Sequence, residues 1–285
     1  MLLNVEVCLP GMSSKKYNSL IELNESTKSK TVFCIHTAGG GLEAYKGLAN
    51  HFEDRYKFYG IEEPSIFDGF EYQSMQDIAT HHVKVIKSVQ SDGPYILFGY
   101  CSGGPVAHEV ANQLRSQGEA IESVTYFNRI LSWYDPGDDS KYQFLRPYLS
   151  SKYGVSLDSV DWQSSESRGV DYLAESIISV FAKYGFGLTQ RDHGWIKKVI
   201  KSLCLMKHAS SNYAVPDVDF NVFKLHGHEG ERTSRDVFWC DFKSSESDQT
   251  ISDIKYSEHG PKDLLVEPNF SITINKIEEF VLTQS

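Results

Sequence analysis

"FGYCSGGPVAHEVA", residues 98–111, decides how the rest of the chain is read. A glycine, a spacer, a cysteine, a spacer and two glycines lead into a stretch that looks helical. This is the G-x-S-x-G layout of a nucleophile elbow, a sharp strand-to-helix turn that exposes its central side chain, with Cys101 in the place of serine. Gly99, Gly103 and Gly104 leave room that side chains would fill. The turn points Cys101 at the positive end of the following helix. That end favours thiolate over thiol, and the thiolate is the nucleophile. The competing reading is a small buried cysteine in an ordinary turn, because free cysteine is among the most buried residue types. The surrounding sequence has to decide.

Upstream of the elbow, "PYILFGY" (94–100) is a short apolar run that reads as a buried strand, and "SGGPVAHEVANQLRSQG" (102–118) reads as a helix. Pro105 is tolerated in its first turn, and Gly118 ends it. "KTVFCIH" (30–36) is a second buried strand running into the glycine-rich turn "TAGGG". "YKGLANHF" (45–52) follows as a helix, "YKFYGIEEP" (56–64) as a strand halted at Pro64, and "SMQDIATHHVKVIKSVQ" (74–90) as a helix with Ser74 at its N-cap. "SVTYFN" (123–128) is the next strand. Alternation of this kind predicts an α/β fold with a mostly parallel sheet covered on both faces. From about Asp135 to Val215 the regularity breaks. Two helical pieces, 171–185 and 194–208, predict an insertion of helices between two strands, a lid within a single domain spanning 1–285. The sheet pattern resumes at "FNVFKLHG" (220–227), and "INKIEEFVLTQ" reads as a terminal helix.

Composition narrows the function classes. The formal net charge of -10 argues against a nucleic-acid binder, whose affinity rests on Lys and Arg meeting phosphates. Cys8, Cys34, Cys101, Cys204 and Cys240 are scattered and odd in number, with no C-x-x-C pair. A disulfide framework or zinc ribbon is therefore not expected, and a reducing, cytoplasmic compartment is. No stretch approaches the roughly 20 apolar residues of a membrane span, and the N-terminal run is too short for a secretory signal.

Attack on a carbonyl needs two N–H donors for the oxyanion. One normally follows the nucleophile, here Ser102. The other comes from the loop after an earlier strand, and within "HTAGGG" (36–41) Ala38 is the expected donor. The general base should be a late histidine. His259, in "YSEHGPKDLLVEP", is the last of ten.

"VFCIHTAGGG", "GPYILFGYCSGGPVAHEVANQL" and "EHGPKDLLVEP" together resemble the thioesterase domains of non-ribosomal peptide and polyketide synthases. These carry H-P-A-G-G, G-P-Y-x-L-x-G-[WY]-S-x-G-G-x-x-A-x-E-x-A and a late G-x-H-x-x-[ML]-L. The resemblance covers nearly the whole chain and implies an α/β-hydrolase fold with a helical lid. It implies an enzyme that takes an acyl chain from the phosphopantetheine arm of an acyl or peptidyl carrier protein. That chain passes to water, an internal nucleophile or an amine, with no tightly bound cofactor, metal, membrane or nucleic acid. Two positions depart from the pattern. Cys101 replaces serine, and Asn128 stands where the family's triad aspartate commonly ends the strand after the elbow helix. A thiol needs less help from its base than a hydroxyl does, and Cys-His-Asn is a working arrangement in papain-like proteases. The two departures thus compensate, pointing to Cys101, His259 and Asn128. Glu229 or Glu231 in "LHGHEGE" is the alternative acid; Asp135 follows Asn128 at some distance.

Other signals are weaker. His226 and His228 in "HGHEGE" lack a third ligand at metal-binding spacing, and the stretch reads as an exposed turn. Lys197, Lys198 and Lys201 form a basic cluster, either a docking face for an acidic carrier or an ordinary solvated face. Three functions remain: an acyltransferase or releasing enzyme, an editing hydrolase of stalled carriers, and a non-catalytic module that binds an acyl chain or partner. With Met1 in place and no carrier-like segment, a free-standing form is expected, which fits editing and equally a transferase or a domain cut from a longer synthase.

Overall fold

The run Thr31–Ile35, strand β2, alternates its side chains between two apolar surfaces: Val32 and Cys34 enter one buried cluster, Phe33 and Ile35 the other. β4 (Tyr95–Tyr100) does the same, with Ile96 and Phe98 on one side and Tyr95 and Leu97 on the other. A strand buried on both faces has no polar positions to spare, which is why these stretches read as continuous apolar runs. The structure is a computed structural model that describes residues 17–127, 140–211, 213–228, 248–255, 265 and 269–282.

The described strands form one sheet in the order β1-β3-β2-β4-β5-β6-β7. The remaining members are β1 (Leu20–Glu22), β3 (Lys57–Ile61), β5 (Ile121–Phe127), β6 (Val222–His228) and β7 (Asp248–Lys255). Only β1 runs antiparallel; the other ladders are parallel. One face is covered by α3 (Met75–Lys87) and α4 (Gly103–Ser116), through residues such as Ile78, Ile86, Val106 and Val110. The other face is covered by α1 (Lys46–His51), preceded by the 3-10 turn Glu43–Tyr45, and by α9 (Asn269–Lys276), which continues into a π-helical turn to Val281. A short α2 (Pro64–Phe67) follows β3.

Local chemistry sets the boundaries. Ser74 caps α3, its hydroxyl accepting from the Asp77 amide at 3.1 Å while the Asp77 carboxylate accepts from the Ser74 amide at 3.0 Å, a reciprocal capping box. Gly118, two residues past the end of α4, takes φ +87°. Among the described residues, four helices lie between β5 and β6: α5 (Leu145–Tyr153), α6 (Trp162–Arg168), α7 (Val170–Lys183) and α8 (Gln190–Ser211). They share an apolar cluster around Leu173, Ile177, Phe181 and Leu203. The second half of α8 leaves this cluster, and its Met206 and Ala209 join the sheet core.

The structure adjusts two sequence expectations. β6 extends through His228, one residue past the expected end at Gly227 and into the stretch that reads as an exposed turn. The ladder to β7 continues through Gly227 and His228, which holds the backbone extended despite its glycine. The last helix starts at Asn269, five residues before the expected Ile274. Among the described residues no helix is long and apolar enough to cross a membrane.

Candidate active site

The strand order reverses at β2. Its neighbour on one side is β3 and on the other β4, and the two are reached by crossovers on opposite faces. In open α/β sheets the crevice beyond the carboxyl ends of such strands is where ligands bind. The loop after β2 carries Ala38, and the turn after β4 carries Cys101 and Ser102. The chain's topology therefore brings three of the expected site residues to one crevice.

Cys101 has φ 54° and is the only non-glycine residue at positive φ among those described. Holding a side chain there costs roughly 1–3 kcal/mol, and the neighbours enforce it. The Cys101 amide donates to the Phe127 carbonyl at the end of β5 (3.0 Å), and its carbonyl accepts from the Gly104 amide (3.1 Å). A Cβ on Gly99 would lie 2.4 Å from the Gly103 carbonyl oxygen; one on Gly103 would lie 2.6 Å from the His36 carbonyl oxygen. The first turn of α4 is thus pressed against both the elbow and the end of β2, and only glycine fits. Cys101 and Cys204 are half-buried, whereas Cys34 is buried. Burial pushes the Cys34 thiol well above its usual range and the Cys204 thiol up to about 12, so neither ionises readily.

The loop after β2 closes on itself. The Thr37 amide donates to the Gly41 carbonyl (3.1 Å) and the Gly40 amide to the Thr37 carbonyl (2.9 Å), with Gly39 and Gly40 at φ +80° and +90°. Among the described residues no acceptor stands at the Ala38 or Ser102 amide. Residues that sequence reasoning missed hold this loop. The Tyr148 hydroxyl on α5 donates to the Ala38 carbonyl at 3.1 Å, tying the helical insertion to the crevice. Removing that hydroxyl in Tyr148→Phe should cost about 1 kcal/mol of stability, the net worth of an ordinary hydrogen bond, read as a lowered urea midpoint.

Behind the loop lies a buried cluster of ionisable groups. His36 directs Nδ1 to the Thr37 carbonyl (2.9 Å) and Nε2 to the Glu63 carboxylate (3.4 Å), both residues being buried. Glu63 also caps α2 through the Ser65 amide and accepts from the Tyr72 hydroxyl. His82 stands edge-on to His36, fully buried, with no hydrogen-bond partner for either ring nitrogen among the described residues. Burial, aided by His36 and His81, pulls the His82 pKa well below the usual imidazole range; burial likewise lowers His81, opposed by Asp68 and reinforced by Lys84. Both rings therefore take up a proton less readily in the fold than in the unfolded chain. Below about pH 6.5 the unfolded chain binds more protons at these groups than the native state, so their contribution to stability falls as pH drops through that value. The slope is at most about 1.4 kcal/mol per pH unit for each group. Burial, with Glu43 and Asp68 nearby, raises the Glu62 pKa to about 8, which acts in the opposite sense over this range, so the test is a difference: between pH 7.5 and 5.5 the parent's denaturant midpoint should fall relative to that of His82→Phe.

The remaining expectations resolve as follows. Lys197 pairs with Glu175 (2.7 Å) and Lys201 with Glu71 (2.5 Å), while Lys198 donates to the Ile66 carbonyl (3.4 Å), so two of the three lysines of the cluster face a carboxylate. Among the described residues no group of His, Cys, Asp or Glu is arranged to hold a metal ion. Asn128, His259, Glu229, Glu231 and Asp135 lie outside the described residues.

Comparison with known proteins bears on the same crevice. Residues 30–130, which contain β2, the Ala38 loop, the elbow, α4 and β5, match the thioesterase-domain family. Polyketide synthase PksR of Bacillus subtilis is 32% identical over 120 residues, 42% of this chain and 5% of that protein. A dimodular nonribosomal peptide synthase of the same organism is 32% identical over 187 residues, 64% of this chain and 7% of that protein. Atromentin synthetase of Tapinella panuoides is 31% identical over 117 residues, 41% of this chain and 12% of the synthetase. The chain thus spans a small part of the curated relatives it matches. Among solved structures, a four-domain nonribosomal peptide synthetase superposes with TM-score 0.74 at 17% identity, over 93% of this chain and 20% of that one. The NocB thioesterase domain, in covalent complex with a nocardicin G analogue, superposes with TM-score 0.63 at 18% identity, over 91% and 98%. The fold is accordingly that of the synthetase thioesterase domains, an α/β-hydrolase arrangement with a mostly parallel sheet, and residues 30–130 match the thioesterase-domain family.

Proposed function

We propose that this chain releases or transfers acyl groups delivered as thioesters on the phosphopantetheine of an acyl or peptidyl carrier protein, with Cys101 as the nucleophile. The observation that carries the reading is the backbone of Cys101. An L-residue is held at positive φ, half-buried between a strand end and a helix N-terminus, where the helix dipole favours a thiolate. In the proposed reaction the Cys101 thiolate adds to the thioester carbonyl. The Ala38 and Ser102 amides donate to the oxyanion. The tetrahedral adduct collapses with loss of the pantetheine thiolate, which takes a proton from His259, leaving an acyl thioester on Cys101. An amine, an internal nucleophile or water then attacks that thioester, His259 accepts the proton, and the Cys101 thiolate is regenerated. Asn128 orients His259, with Glu229 or Glu231 as the alternative partner. The Phe127 carbonyl that binds the Cys101 amide is the chain neighbour of Asn128, which supports this assignment.

A thioester intermediate acylates amines far more readily than it hydrolyses, so Cys101 favours amide formation or cyclisation over simple hydrolysis. Intact-protein mass after mixing with a carrier-bound or simple acyl thioester tests this. An acyl adduct discharged faster by added amine than by water is expected. Discharge by water alone would assign an editing hydrolase, and no adduct would leave a binding module.

A further inference from the structure

The hydroxyl of Tyr45 sits where the β2–β4 ladder stops. The last pair in register is Ile35 with Gly99. One residue on, the Tyr100 amide donates not to β2 but to the Tyr45 hydroxyl at 2.6 Å, and that hydroxyl donates to the Ile35 carbonyl at 2.7 Å. Two hydrogen bonds in series stand in for a single ladder bond of about 2.9 Å. The side chain arrives from the 3-10 turn before α1 and is fully buried, its ring edge-on to Phe127. Burial, reinforced by the nearby Cys34 thiol, raises the Tyr45 pKa well above its usual value, so the hydroxyl stays a donor.

We infer that Tyr45 is a positioning residue for acyl transfer: by inserting its hydroxyl between the ends of β2 and β4, it sets the spacing between the Ala38 and Ser102 amides. Ala38 lies three residues beyond Ile35, and Ser102 two beyond Tyr100. The loop and the elbow therefore hang from the two strand ends that the hydroxyl joins. Neither amide touches Tyr45, and the effect passes through the backbone. Without the hydroxyl both of its hydrogen bonds are lost, and the Tyr100 amide reaches the Ile35 carbonyl directly only if the strand ends move together. Movement of about 1 Å at reacting groups lowers rates by up to about a hundredfold.

This inference rests on the acyl-transfer reading above, and its test separates the two. Two reactions of Cys101 are timed by intact mass, with the modified site located by peptide mass: acylation by a simple acyl thioester and alkylation by iodoacetamide. Acylation builds an oxyanion; alkylation needs the thiolate but no oxyanion donor. Tyr45→Phe should slow acylation about 10- to 100-fold while leaving alkylation within about twofold of the parent, because the thiol and helix are untouched. Equal slowing of both reactions would mean that Tyr45 only supports the elbow, and unchanged acylation would mean that its hydroxyl positions nothing; either result overturns the inference. A parent protein that is alkylated but never acylated would remove the acyl-transfer reading and this inference with it. Hydrogen exchange at the Tyr100 amide of the parent is independent of whether the variant folds. Strong protection is expected, and exchange at the unprotected rate would show that the bridge does not form.

Discussion

Cys101→Ala should form no acyl adduct and lose at least about a thousandfold in turnover, while melting like the parent. The loss of rate follows from removing the nucleophile, since the oxyanion donors and binding alone leave only residual catalysis. The unchanged melting follows from what the thiol does not do. Cys101 is half-buried, and the elbow is held by backbone bonds to Phe127 and Gly104 that alanine keeps. Cys101→Gly sharpens the point. Glycine adopts φ 54° without the steric penalty of a Cβ, so this variant should be inactive and more stable than Cys101→Ala. If the alanine variant retained acylation at the parental rate, another residue would be the nucleophile. If the glycine variant were the less stable of the two, the elbow would not store strain.

Gly99→Ala should abolish soluble, folded protein or lower its stability by more than about 3 kcal/mol, a large part of the 5–15 kcal/mol typical of a native fold. The added Cβ would stand 2.4 Å from the Gly103 carbonyl oxygen, 2.6 Å from its carbonyl carbon and 2.6 Å from the Gly104 Cα. All three are backbone atoms of α4, so no rotamer change relieves the clash. Either α4 leaves the sheet or β4 bends. Gly118→Ala is the informative contrast. Nothing lies within 4 Å of its added Cβ, and only φ +87° opposes it, for a cost of about 1 kcal/mol. Urea midpoints of the two variants measure the difference between a steric and a conformational requirement. Similar midpoints would mean that α4 is less tightly seated than these distances imply.

The parts of this molecule legible in the sequence are those whose chemistry is local. β2 and β4 are readable because burial on both faces forbids polar residues over five or six positions. The elbow is readable because its glycines are demanded within six residues of one another. α3 is readable from Ser74 and its apolar spacing. β1 is too short to carry a pattern, and β7, "DQTISDIK", mixes charged and apolar residues in a way that composition does not separate from a loop. The supporting residues of the site are invisible for a different reason. Tyr45 meets Tyr100 across 55 residues of chain, and Tyr148 meets Ala38 across 110. No spacing rule reaches that far. Glu63 reads as an ordinary charged residue before Pro64 until the fold buries it against His36.

The helices described between β5 and β6, with the segments that join them, share a hydrophobic cluster of their own, which among the described residues Ala38 and the α2 residues Ile66 and Phe67 join from elsewhere in the chain. Substitutions at Leu173, Ile177 or Phe181 therefore reach the loop after β2 through Ala38, which belongs to the same cluster and is held by Tyr148. The same property marks a seam for chimaeras. A graft running from α5 through the first half of α8, with Tyr148, Met206 and Ala209 retained from the host, would exchange this cluster while keeping its anchors to the loop and to the sheet core.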